Sequence, residues 1–147
     1  VVASGNDWRC LGQELNVVAR AARAHLDRAL TGHGVTFAGF LVLRGLADGA
    51  VGNNELAGRL AIEAPTLTRQ VNKLVTTGLV EREISVGDRR AVRLSLTGYG
   101  RQVLADVERV VADGDAELAA PLDDREISQL RTLLGRLNAH LDGLSRP

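Results

Sequence analysis

The stretch "ELAGRLAIEAPTLTRQVNKLVTTGLV", residues 55–80, carries two short helical patterns separated by three or four residues. Asn53, just ahead of it, is a candidate cap for the first helix, "NELAGRLA". Pro65 is well placed as the first residue of the second, "PTLTRQVNKLVTT", and Gly78 falls just past its end. At 100° per residue, Leu67, Val71 and Leu74 share one side of that second helix and face a core. Thr66, Arg69, Gln70 and Lys73 form another stripe roughly 120° away, with Thr68 and Asn72 flanking the far side. Two short helices crossing about a tight turn, the second with a polar outer stripe, fit helix-turn-helix geometry.

Immediately downstream stands "EREISVGDRRAVRLSLT", residues 81–97. Ile84 and Val86 on one side, and Val92, Leu94 and Leu96 on the other, recur every second residue, the period of strands with one buried face. The turn between them holds a glycine, Asp88, Arg89 and Arg90, so a hairpin pushes two guanidinium groups into solvent.

Outward from this centre the pattern is helical. "LGQELNVVARAARAHLDRAL", 11–30, spaces Leu11, Leu15, Val18, Ala22 and Leu26 as an amphipathic helix, ended by Gly32 and Gly34. Thr36 is placed to cap "FAGFLVLRGLA". Thr97 caps a long helix running to about Ala120, and Pro121 separates it from the last. That last helix opens with a capping box, Asp123 with Glu126 three residues on, and holds Ile127, Leu130, Leu134, Leu137 and Leu141 at helical spacing. The expected fold is mainly α with a small β-hairpin, in the order helix, helix, helix, helix, hairpin, helix, helix. There is no internal repeat and no long linker.

A chain of 147 residues is expected to form one domain with a proper core. Its longest apolar run, "FAGFLVL", is far short of the ~20 residues that cross a bilayer, and "VVASGNDWRC" lacks the basic start and apolar core of a signal peptide. The single cysteine excludes an internal disulfide framework, so the expected setting is reducing and cytoplasmic. Net charge is zero, but its distribution is uneven. Residues 64–93 hold six basic side chains (Arg69, Lys73, Arg82, Arg89, Arg90, Arg93) against three acidic ones, whereas residues 94–147 hold six against nine. Phosphate contact requires a local basic segment, and whole-chain charge does not test for one.

The outer stripe of the 65–77 helix suits base edges and phosphates. Arg69 can fork onto a guanine, Gln70 can pair with an adenine, and threonine methyls can meet thymine methyls. Lys73 suits a phosphate as a point charge. Arg89 and Arg90 stand where a hairpin beside a major-groove helix would reach the neighbouring minor groove, whose narrow A·T-rich stretches attract arginine. A solvated helix face and a charged, soluble turn are the ordinary alternatives for each feature alone. Together the two features point to double-stranded DNA.

The segment 55–100, above all "TLTRQVNKL", "GLVER" and "GDRRAVRLSLT", resembles the MarR family of winged-helix transcriptional regulators. With its flanking helices the resemblance spans nearly the whole chain. It implies a winged helix-turn-helix lobe over 36–97, dimerisation helices over 8–32 and 98–147, and a homodimer on a pseudo-palindromic operator. It further implies repression, often relieved by small phenolic or other aromatic compounds bound between the dimerisation helices and the lobe. By motif position Thr66, Thr68, Arg69, Gln70, Asn72, Lys73, Arg89 and Arg90 carry over as DNA contacts. No effector-binding residue carries over, because that pocket has no motif. The dimer also has a basis in the residues themselves, since the terminal apolar stripes exceed what a ~65-residue lobe could bury. The alternative is a winged-helix module that keeps the shape and contacts protein.

Nothing suggests an enzyme. No serine sits in a nucleophile motif and no glycine-rich phosphate loop occurs. His25, His33 and His140 are too scattered for a metal signature, and no cofactor is expected. In one branch of the resembled family an N-terminal cysteine senses hydroperoxides with nearby tyrosines. Here Cys10 has only Arg9 beside it and Tyr99 is the sole tyrosine, which favours an incidental thiol. His25 reads as an ordinary interface histidine, and Trp8 and Phe40 as core packing.

Overall fold

Nine elements follow one another in the computed structural model, which describes residues 10–84, 87 and 91–146. They are α1 (Leu11–Ala29), α2 (Phe37–Gly45), β1 (Val51–Gly52), α3 (Asn53–Leu60), α4 (Ala64–Thr76), β2 (Val80–Ile84), β3 (Val92–Leu96), α5 (Gly98–Ala119) and α6 (Asp124–Ser145). The chain divides into two compact units within α5, after Gly114. No helix among the described residues is long and apolar enough to cross a membrane.

In the first unit a single core joins the helix-turn-helix to the sheet. Val42, Leu43 and Leu46 of α2 and its end, Leu56 of α3, and Leu67, Val71 and Leu74 of α4 meet Val80, Leu94 and Leu96 of the strands and Leu104 of α5. Each such leucine or valine contributes about 1.5–3 kcal/mol by leaving water. The helix ends are held much as the sequence leads one to expect. The Thr36 hydroxyl accepts from Gly39 N–H at 3.1 Å, and Asp123 and Glu126 form a reciprocal capping box. Asn53 differs from expectation: Gly52 is the N-cap of α3, and no side-chain cap forms there. Pro65 lies in the first turn of α4, one residue after its start at Ala64.

The sheet has three strands where the sequence suggested two. β1 adds to the far side of β3, giving the antiparallel order β1-β3-β2 with Val51 opposite Leu94. The Arg93 guanidinium donates to the Ala50 carbonyl and pins this short strand. The hairpin register sets Val80 opposite Leu96, Arg82 opposite Leu94, and Ile84 opposite Val92. Leu94 and Leu96 are buried, but Ile84 is 72% and Val92 45% exposed, because the hairpin runs out beyond the core that covers its base. The alternation marks the common face correctly; coverage of that face ends halfway along it.

Thr97 ties the exit of the hairpin to the end of α4. Its hydroxyl donates to Gly78 O at 2.6 Å and accepts from Gly100 N–H at 2.9 Å, while its own N–H donates to Leu79 O at 3.1 Å. Gly78 takes φ +78°, the left-handed conformation that stops α4 and favours glycine. At Gly100 the issue is space, since a Cβ there would sit 2.0 Å from the Leu79 carbonyl oxygen. Backbone cannot swing aside as a side-chain tip can. Gly100→Ala is therefore expected to cost ~1–3 kcal/mol, the range for overpacking, read as a lower urea midpoint at unchanged slope. An unchanged midpoint would mean that α5 does not press on Leu79.

Candidate nucleic-acid interface

The exposed side of α4 follows from what fixes its buried side. Leu67, Val71 and Leu74 are at most 4% exposed, so the helix cannot rotate without losing the core. Its entry is set by the turn from α3, where Ala61 takes a left-handed conformation (φ 51°, ψ 43°) and Ile62 N–H donates to Ala57 O at 3.1 Å. A left-handed non-glycine residue costs about 1–2 kcal/mol, which the packing of the two helices offsets.

Held this way, α4 turns Thr68, Arg69, Asn72 and Lys73 outward and leaves Thr66 and Gln70 half-buried on one flank. Among the described residues, the side chains of Arg69 and Lys73 take no hydrogen bond and no ion pair. Two unpaired cations side by side on one helix face repel each other weakly and gain nothing internally. Thr68 is partly committed, its hydroxyl donating back to Ala64 O at 2.9 Å, so its methyl is the freer contact. Asn72 is committed as well: its side-chain oxygen accepts from the guanidinium of Arg82 on β2. The sequence offered no hint of that link, because the two residues lie on different elements.

The hairpin stands on the Asn72 side of α4. Its tip residues Asp88, Arg89 and Arg90 lie outside the described residues, as do Val86 and Trp8. Below the tip Ser95 donates to Glu83 at 3.2 Å across the strands. Of the basic residues counted in 64–93, Arg82 and Arg93 thus serve internal bonds, whereas Arg69 and Lys73 remain outward and available.

A cleft of about 750 Å³ opens between α4, the end of α1 and the start of α2. Leu30 and Leu74 lie at its base, and Arg69, Gln70, Lys73 and Thr77 line its α4 wall. Asp27, on the other wall, already accepts from Phe37 N–H at 2.7 Å. No sequence motif announces this cleft, which three separate segments create. Elsewhere His25 lies against the Gly114 carbonyl, Nε2 to oxygen 3.0 Å, and Phe40 packs on the core with its ring 6.0 Å from that of Phe37. Cys10 is exposed at the N-cap of α1. No group of metal-ligating side chains gathers among the described residues.

A helix-turn-helix with an outward cationic stripe, flanked by a projecting hairpin, defines a winged-helix protein. The MarR family model matches residues 38–92, from the start of α2 into β3. A mutant of MarR from Escherichia coli, crystallised with operator DNA, superposes with a TM-score of 0.81 at 29% identity, over 86% of this chain and 92% of that one. The Mycobacterium tuberculosis regulator MosR, solved with DNA, gives 0.83 at 27% identity over 94% and 100%. The transcriptional regulator PA3341 gives 0.78 at 34% identity over 91% and 99%. The chain belongs to the MarR family.

Proposed function

We propose that this chain is a sequence-specific DNA-binding transcriptional regulator that acts as a homodimer on a pseudo-palindromic operator. The observation that carries the reading is the outward face of α4, where Arg69 and Lys73 stand exposed without internal partners beside Gln70 and Thr66. In it α4 enters the major groove, Arg69 and Gln70 meet base edges, and Lys73 meets phosphate. Arg89 and Arg90 are assigned to the adjacent minor groove by their place in the wing sequence. The DNA-bound MarR and MosR structures lend support at full-length similarity. A module that contacts protein is the weaker reading, since the core of a protein interface is usually depleted of charge.

The dimer draws on the terminal helices, 8–32 and 98–147, whose apolar stripes are exposed in the single chain: Leu11, Leu15 and Val18 on α1, and Leu130, Leu134 and Leu141 on α6. Repression relieved by a small aromatic or phenolic compound completes the reading. The α1–α2–α4 cleft suits such an effector. Its volume lies in the roughly 300–1,000 Å³ range of small-molecule sites, and its α4 wall includes Arg69 and Lys73. An occupant there would draw on the same cations that DNA requires.

Fluorescence anisotropy with a duplex enriched from a random pool tests both parts. Affinity is expected to fall steeply with salt, by on the order of 10³-fold or more between about 50 and 200 mM for 6–10 phosphate contacts. A flat salt response would favour the protein-interaction module. Repeating the titration with small aromatic acids and phenols should raise the apparent Kd. Indifference of the complex to all of them would remove the effector assignment while leaving DNA binding intact.

A further inference from the structure

Asn72 sits on α4 between its outermost line and the hairpin, roughly 60° round from Arg69 by helical geometry. Arg82 comes from β2, opposite Leu94, on the sheet face that covers the core at its base. Its guanidinium donates to Asn72 Oδ1. A guanidinium has donors only, so the atom that Asn72 turns toward β2 has to be its oxygen. The amide orientation is therefore fixed by chemistry.

This has a consequence for recognition. A free asparagine on a reading helix pairs with adenine through both ends, its oxygen accepting from N6–H and its nitrogen donating to N7. With Oδ1 held by Arg82, the end left for the groove is the NH₂ group. Two donors suit guanine, which presents N7 and O6, both acceptors. Against adenine, one donor would meet N7 and the other would face the N6 amino group.

We infer that Arg82, without entering the groove, fixes the hydrogen-bonding polarity of Asn72, so that this point on α4 selects G·C over A·T. Arg82 is then a positioning residue for specificity. The inference rests on the reading of α4 as a major-groove helix and goes one step further into it.

Selection from random duplexes, with full-length wild type, Asn72→Ala, Arg82→Met and Arg82→Lys, tests it. Asn72→Ala should erase preference at one position of each half-site. There the wild type should favour guanine over adenine by at least about fivefold, the lower end for a specific base contact. Arg82→Met keeps the apolar stem and removes the donors, and should move that position toward adenine by a similar factor while other positions hold. Arg82→Lys, which still donates, should retain guanine. Adenine preference in the wild type, no position responding to Asn72→Ala, or an equal loss at every position with Arg82→Met would each overturn the inference with the helix assignment left standing. Failure of the wild type to enrich any site would overturn the helix assignment itself, and this inference with it.

Discussion

Removing residues 123–147 is expected to abolish dimerisation and to weaken operator binding by about 10²–10⁴-fold, the loss when two linked contacts become independent ones. The expectation comes from α6 itself. Not one of its 22 residues is buried, and Leu133, Leu141 and Leu144 are more than half exposed. Most of a helix's stability in a protein comes from packing its apolar face, and the capping box of α6 contributes only about 1 kcal/mol. Ile127, Leu130, Leu134, Leu137 and Leu141 repeat at steps of three and four, the spacing of a seam between helices. Such a stripe needs a partner, and a two-fold copy of the same chain provides one while holding two reading helices ~34–36 Å apart for successive major grooves. Paired Leu134→Glu and Leu141→Glu changes in the full chain should act in the same direction without shortening it. Sedimentation and anisotropy on the same samples make the check. A truncated chain that stayed monomeric yet bound with full-length affinity would refute the dimer.

The parts of the fold that were legible in the sequence are those written in local periodicity or local capping. The three-and-four spacing of Leu67, Val71 and Leu74 places α4 and its outer face, Thr36 and Asp123 mark two helix starts, and alternation marks the hairpin. What was missed depends on elements distant in sequence. Val51–Gly52 is too short to show a period of two, and becomes a strand only because β3 offers an open edge and Arg93 holds Ala50. Ile84 and Val92 alternate like their neighbours, yet nothing in a pattern says where the covering core ends. The steric need for Gly100 arises from Leu79, twenty-one residues earlier, in the turn between α4 and β2.

The candidate site divides along the same line. That Arg69, Gln70 and Lys73 share a face is helical arithmetic and needs no tertiary structure. That the Arg69 and Lys73 side chains have no partner among the described residues, while Asn72 is held by Arg82, is tertiary information. In the sequence alone Arg82 is merely one of six basic residues in the segment. The cleft beside α4 was equally hidden, since α1, the loop after it and α4 each contribute a wall.

Arg69→Ala should produce the largest loss from any single substitution on the α4 face, and a loss with a particular signature. By helical geometry Arg69 points almost directly away from Leu67 and Val71, so in the proposed complex it is the side chain that would reach deepest into a groove. Exposed and without an internal partner, it keeps its planar guanidinium free to grip guanine N7 and O6 together. One such contact is worth ~1–3 kcal/mol, and a homodimer makes it twice, so operator affinity should drop by ~2–6 kcal/mol. Thermal stability should move little, because no hydrogen bond or ion pair of the Arg69 side chain among the described residues is lost. Preference should relax at one symmetric pair of positions and hold elsewhere. Lys73→Ala offers the contrast: as a phosphate contact it should weaken all duplexes alike and reduce the salt slope by about one per protomer. Anisotropy against a panel of single-position operator variants separates the two patterns. If Arg69→Ala weakened every duplex equally, Arg69 would be a backbone contact, and base reading would have to be sought in Gln70 and the threonines.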